Sequence, residues 1–293
     1  MIFRAFGLVF FLLIHMMSKA LVAHLLGVEY DNKVLMDRYP TKVLRMKKSL
    51  DNSVKKALKM VFKEDSAEGR KALRHFVKEV NILSKLNHPH IVIVDSVATL
   101  PKFNCILMPY YDGGNLTQIL PYLNWHVSDH YLVQLCSALT YLRWKNIVHR
   151  DVKTDNVLLN TNHHIVLADF GLSDVLPPGQ SMIKHIKGTI YYMAPEQSNS
   201  VPYDGFKSDM FALGVILWCM IMRMDVILFK PEQPLVEIVK STTSLSPIDS
   251  NILCGLLEMN PDERWSITTL VNSLSGFPRF ATKVQPFKER GLL

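Results

Sequence analysis

Cysteine is scarce: four residues, at positions 105, 136, 219 and 254 of 293, show no paired spacing. That excludes a disulfide framework and a Cys-x-x-Cys zinc site, and leaves reduced, buried thiols as the expectation. Metal-ligand spacing is missing from the histidines as well. There are eleven of them, but no His-Glu-x-x-His and no Cys/His cluster, so they read as core or surface residues. No internal repeat and no low-complexity segment occurs. The formal net charge is +7, yet it is spread along the chain with no basic tract carrying interleaved aromatics, which argues against a nucleic-acid partner.

At 48% hydrophobic and 20% charged residues, the chain is too ordinary in composition for a disordered protein and long enough for one large domain. Its N-terminus stands apart. Ala5 to Ile14 is an unbroken apolar run preceded by Arg4, and hydrophobicity continues to Leu26 with His15, Ser18, Lys19 and His24 interrupting it. A run of that length falls short of the about 20 residues a bilayer-spanning helix needs. Residues 1–27 therefore admit four readings: a signal peptide with Ser18-Lys19-Ala20 as its small-residue site, a weak anchor, a helix lying in a membrane interface, or an extension packed on the domain. At helical spacing Arg4, His15, Ser18 and Lys19 share one side, which favours the interfacial helix. Lys33, Arg38, Lys42, Arg45, Lys47 and Lys48 crowd the downstream flank, the pattern of a domain kept on the cytoplasmic side.

The most specific chemistry lies in the middle of the chain. His149-Arg150-Asp151-Val152-Lys153-Thr154-Asp155-Asn156 is followed by Asp169-Phe170-Gly171 and then by Ala194-Pro195-Glu196, in that order a base, a cation and two oxygen donors suited to metal. These motifs resemble those of the eukaryotic protein-kinase family, over roughly residues 31 to 280. The resemblance implies an α+β, two-lobed protein-kinase fold: a small β-rich N-lobe over about 31–108, a larger and mostly helical C-lobe over about 112–280, and a short tail at 281–293. It implies that Asp151 accepts the proton of a substrate hydroxyl, that Lys153 neutralises the transferred phosphoryl group, and that Asn156 and Asp169 hold Mg²⁺. Asp209, in Ser208-Asp209-Met210, is implied as a brace for the backbone around His149 and Arg150, and Arg264 as the partner of Glu196.

Upstream, the resemblance makes Lys59 of Ala57-Leu58-Lys59-Met60-Val61 the lysine for the ATP phosphates. Strand alternation puts it on one face with Ala57 and Val61. Glu79, in a helix over about 70–86, is implied as its partner, at the border of an apolar face of residues 76, 80 and 83. Cys105 to Leu116 runs from an apolar strand into a Gly-Gly turn, a boundary signal in its own right. By resemblance Met108 sits behind the adenine of ATP, Pro109 and Tyr111 bond its edge through backbone atoms, and Val43, Ala57 and Leu158 sandwich the ring.

One departure is serious. The family's G-x-G-x-x-G-x-V is occupied by Met36-Asp37-Arg38-Tyr39-Pro40-Thr41-Lys42-Val43, without any of the three glycines that let backbone N–H groups approach phosphate. Weaker handling of ATP is expected, with Arg38 or Lys42 as charged substitutes. Lys153 after Asp151, with Gly188-Thr189 before Ala194, resembles the serine/threonine branch, so the implied reaction is Mg²⁺-dependent transfer from ATP to protein Ser/Thr hydroxyls. The alternative is a weakly active or inactive pseudokinase acting as a scaffold. Thr189 is expected to hydrogen-bond toward Asp151 and Lys153. Where many relatives carry a phosphorylatable hydroxyl this chain has His185, so Arg150 is expected to lack a phosphate partner, with Ser181 as a substitute or activation without any phosphate as the alternatives.

Overall fold

The alternation read in the sequence is built into the first sheet. The computed structural model describes residues 28–38, 40–48, 51–199 and 202–293, which divide into two units, 28–84 with 93–110 and 85–92 with 111–293. The expectations for residues 1–27, and for the side chain of Arg38, lie outside the described residues.

In the first unit β1 (Val28–Arg38), β2 (Thr41–Lys48), β3 (Asp51–Phe62), β4 (Ser96–Thr99) and β5 (Phe103–Pro109) form an antiparallel sheet in the order β1-β2-β3-β5-β4. Leu44 and Met46, Leu58 and Met60, and Phe103, Cys105 and Leu107 come from alternate positions of three adjacent strands and form one apolar cluster. Their period of two puts them on one face of the sheet, leaving Ala57, Lys59 and Val61 on the other. The segment that replaces the glycine loop is a regular ladder: Met36 pairs with Val43, Asp37 with Lys42 and Arg38 with Thr41. Helix α1 (Ala67–Leu83) begins where the Ser66 side chain accepts from Gly69 N–H, filling one of the unsatisfied donors of a helix start. It starts and ends about three residues earlier than expected. Its buried residues include Phe76, Glu79, Ile82 and Leu83, whereas Val80 is only half-buried. Glu79 thus lies within the inward face rather than at its border.

The second unit is mainly helical: α2 (Leu116–Ile119), α3 (Trp125–Trp144), α4 (Gly205–Met222), α5 (Val226–Phe229), α6 (Leu235–Ser241), α7 (Pro247–Leu256), α8 (Ile267–Gly276) and α9 (Pro278–Glu289). Three short antiparallel ladders pair β6 (Ile147–Val148) with β9 (Asp174–Val175), β7 (Val157–Leu159) with β8 (Ile165–Leu167), and β10 (Met182–Ile183) with β11 (Tyr203–Asp204). Helix α4 is apolar all round and is buried along most of its length, as the central helix of a core must be. Its length and composition would also suit a membrane span, but its burial accounts for both. Residues 85–92 group with this unit rather than with the strands, because Val92 N–H donates to Leu167 and Leu167 N–H to His90. The expected tail at 281–293 is largely the body of α9: Phe280 and Val284 are buried, and Arg279 pairs with Asp129 and Asp249.

Two histidines sit neutral in this packing. His88 Nδ1 accepts from His90 N–H at 3.1 Å, its Nε2 lies 3.1 Å from Ser137 Oγ, and that hydroxyl donates to the Leu292 carbonyl at 2.9 Å. The Ser137 proton is therefore committed, and His88 Nε2 is the donor in the middle bond. Burial lowers both His88 and His90 to about 4. Between pH 6.5 and about 4 the unfolded chain binds protons that these two histidines refuse in the fold, so their contribution to stability rises with pH through this window and falls on acidification. Each histidine should contribute a slope of about 1.4 kcal/mol per pH unit there. Denaturant midpoints between pH 4 and 7 check this, and His88→Gln should roughly halve the two-histidine slope.

Candidate active site

In the first unit, Lys59 and Glu79 meet as expected. The Lys59 ammonium lies 2.9 and 2.7 Å from the two carboxylate oxygens of Glu79. Glu79 is 3% exposed, and a carboxylate this deep needs a charged partner. Ala57 faces Met108 across the β3–β5 pair, and Val43 faces Lys59 across β2–β3. Pro109 closes β5. Lys42, expected as a phosphate contact, is instead held 2.6 Å from Asp37, because strand pairing sets the two directly opposite each other.

In the second unit, the residues from His149 to Asn156 form a tight polar loop. Asp209, at the buried start of α4, accepts from His149 N–H at 2.7 Å and Arg150 N–H at 2.9 Å. Two backbone donors stabilise its charge, but burial dominates and pushes the carboxyl up to about 7. His149 Nε2 lies 3.1 Å from the Ala168 carbonyl and its Nδ1 accepts from Asp151 N–H, so the ring is a fixed neutral tautomer. Burial lowers its basicity further. Arg150 takes a positive φ of 68° and Asp169 one of 62°, uncommon for residues with a Cβ and held here by surrounding bonds.

These constraints bring Asp151, Lys153, Asn156 and Thr189 together. Lys153 Nζ is 2.8 Å from Asp151 Oδ2 and donates to Thr189 Oγ1 at 2.9 Å; Thr189 donates to Asp151 Oδ1 at 2.8 Å. Asn156 spends its amide protons on Asp151, on the carbonyl at 2.8 Å and on Oδ2 at 3.0 Å. Its Oδ1 has no hydrogen bond among the described residues, and Asp169, implied with Asn156 as a metal ligand, stands at the head of the Phe170–Leu172 turn; an amide oxygen and a carboxylate are the kind of hard oxygen donors that Mg²⁺ takes. No group of three or more His, Cys, Asp or Glu with metal-site geometry occurs among the described residues. Tyr111, Leu158 and the turn Gly113-Gly114 belong to this unit, where Gly113 N–H donates to Leu159 and Leu159 N–H to Gly114. Gly188, at φ 134°, passes so near the loop that a Cβ would lie 3.0 Å from the Arg150 carbonyl.

Arg150, expected to lack a phosphate partner, is engaged by protein groups instead: its side chain is 1% exposed, pairs with Asp174 and donates to the His185 carbonyl and to the Tyr203 hydroxyl, with its Nε buried and unbonded. The β6–β9 ladder sets Asp174 opposite Val148, two residues from Arg150. Glu196 accepts from Arg264 at 2.6 and 2.9 Å, as expected. Sequence reading missed Asp174, Tyr203 and the buried Asp225. Only Asp225 left a local trace, as a helix-capping residue before an apolar run.

The sequence that builds this geometry is similar to those of known proteins. The family model for the protein kinase domain matches residues 41–274. NUAK family SNF1-like kinase 2 of Rattus norvegicus is 31% identical over 227 residues, which is 75% of this chain and 36% of that protein. NUAK family SNF1-like kinase 1 of Mus musculus is 29% identical over 243 residues, 80% of this chain and 35% of the relative. CBL-interacting serine/threonine-protein kinase 20 of Arabidopsis thaliana is 28% identical over 226 residues, 71% of this chain and 50% of the relative. The chain thus spans about a third to a half of the length of these relatives.

Proposed function

Because the chain belongs to the protein kinase domain family, we propose that it transfers the γ-phosphoryl group of ATP to serine and threonine hydroxyls of protein substrates. The observation that carries this reading is the contact set of Asp151, Lys153, Asn156 and Thr189, which holds a base, a cation and an oxygen donor at one place. Asp151 takes the proton of the acceptor hydroxyl while the acceptor oxygen bonds to phosphorus and ADP leaves with the bridging oxygen. Lys153 offsets charge on the phosphoryl oxygens, and Thr189 fixes Lys153 and Asp151 relative to each other. Lys59, held by Glu79, grips the α- and β-phosphates. Val43, Ala57, Met108 and Leu158 give apolar surface to the adenine, and backbone groups of Pro109 and Tyr111 bond its edge. Mg²⁺, when bound through Asn156 and Asp169, supplies charge neutralisation for the β- and γ-phosphates. The protein is read as cytoplasmic, with residues 1–27 as a membrane-associating segment.

The second reading, a kinase-fold scaffold of weak or no activity, is favoured by one observation: Met36, Arg38 and Thr41 sit in an ordinary antiparallel ladder, with Lys42 committed to Asp37. Mg-ATP binding by calorimetry and phosphate transfer to a generic basic protein separate the two. Transfer at rates that Asp151→Asn removes is the expected result; absence of Mg-ATP binding overturns the enzyme reading. The combined Met36→Gly, Arg38→Gly and Thr41→Gly variant should lower the ATP concentration for half-maximal rate several-fold. Added glycine costs about 0.5 to 1 kcal/mol per residue in ordering, but preorganised backbone donors at phosphate outweigh that. Weaker ATP binding in this variant and in Arg38→Ala alone would instead assign the phosphate contact to the arginine.

A further inference from the structure

We propose that Asp225 is a positioning residue for phosphoryl transfer, tying the catalytic loop to the segment that seats the acceptor; this rests on the kinase reading above. Asp225 lies in the turn between α4 and α5 and is 4% exposed. Its Oδ1 caps α5 by accepting from Ile227 N–H at 2.8 Å. Its Oδ2 accepts from the Thr154 hydroxyl at 2.6 Å and the Tyr192 hydroxyl at 2.9 Å. Three donors on one buried carboxylate satisfy it without a cation, and such charge-assisted bonds are stronger than neutral ones.

The two hydroxyls come from the two segments whose spacing matters. Thr154 follows Lys153 directly and is fully buried. Tyr192 ends the 3₁₀ turn Ile190–Tyr192 that follows Thr189. Lys153 and Thr189 are the two partners of Asp151, so one carboxylate behind the site sets the distance between both flanks. A carboxylate oxygen only accepts, so the Thr154 proton is committed to Asp225, and Thr117 Oγ1, 2.7 Å from Thr154 Oγ1 and 3.1 Å from Asp155 Oδ1, shares its own proton between those two. Burial raises the Tyr192 hydroxyl and pushes the neighbouring Cys219 thiol up to about 12, so both remain protonated. On the outer side, Ile190 is 80% exposed and Leu228 of α5 76% exposed, apolar surface on the two elements that the carboxylate joins. Loss of the carboxylate leaves Thr154 and Tyr192, already 2.7 Å apart, able to bond each other. The packing can therefore persist while the spacing drifts.

Misplacing reacting groups by about 1 Å costs roughly 100-fold in rate. Asp225→Ala in the full chain should lower kcat by roughly 10- to 100-fold and raise KM for a peptide acceptor, with KM for ATP nearly unchanged. Asp225→Asn keeps the cap and part of the hydroxyl contact and should recover most of the rate. Tyr192→Phe and Thr154→Val each remove one bond and, combined with Asp225→Ala, should add little to its effect. Hydrogen exchange gives an arm independent of activity: Asp225→Ala should speed exchange in 152–156 and 188–193 while the thermal midpoint falls by no more than the loss of one helix cap accounts for. An unaltered kcat, or a uniform loss in which both KM values and the midpoint move together and Asn does not rescue, would overturn the proposal in favour of mere support for α5. Should the parent protein transfer no phosphate, the kinase reading fails, and unchanged exchange in the variant would sink the positioning role separately.

Discussion

Asp151→Asn is expected to reduce phosphoryl transfer by roughly a thousand-fold, within the range for removal of a general base, while leaving the fold and ATP binding intact. The amide has the shape of the carboxylate, so Lys153, Asn156 and Thr189 keep a partner at nearly the same place; what disappears is the ability to accept a proton. Initial rates with saturating Mg-ATP, set beside a thermal midpoint and an ATP titration, check all parts of this. Asp169→Asn supplies the contrast, because it removes charge from the hard oxygen pair and should show itself as lost Mg²⁺-dependent nucleotide affinity. Retention of parental rates in both variants would refute the assignment of the base and of the metal pair.

The largest stability effect is expected at Glu196. Its partner Arg264 has a side chain with no exposure to solvent, and it also donates to the carbonyls of Glu258 and Lys207 and lies over the Phe211 ring. Those contacts hold the guanidinium in place but cannot neutralise it. Glu196→Ala leaves a buried cation uncompensated, at a cost of about 3 to 5 kcal/mol, a large fraction of the roughly 5 to 15 kcal/mol that stabilises a domain. The urea midpoint should fall accordingly, with a smaller drop for Glu196→Gln, which still accepts one hydrogen bond. A loss below about 1 kcal/mol, the range of a surface pair, would show that water reaches Arg264 and that the pair contributes little.

Much of the site was legible in the sequence because its parts act over short chain distances. Asp151, Lys153 and Asn156 lie within six residues, so their spacing alone puts a base, a cation and an oxygen donor on one loop. The face of β3 that carries Lys59 followed from a period of two, and it was found as read. Helix α1 was legible as a helix, but its inward face was not, since Glu79 replaces an apolar residue at a buried position and weakens the pattern. The partner of Lys42 was hidden for a related reason. Seen along the chain it is one of several cations near the expected phosphates; only the register of β1 on β2 sets Asp37 across from it.

The sequence by itself therefore determined the order of the candidate catalytic groups, the strand face of Lys59 and the presence of helix α1, all of which depend on backbone periodicity between near neighbours. Tertiary structure decided which distant groups became partners. Arg150 meets Asp174 and the His185 carbonyl, 24 and 35 residues away; Asp225 gathers Thr154 and Tyr192 from 71 and 33 residues away; Arg279 binds α9 to Asp129 from 150 residues away. No local spacing encodes such pairs. A buried charge must be matched when water is withdrawn from it, and the donors within reach at that moment are set by how the strands and helices pack.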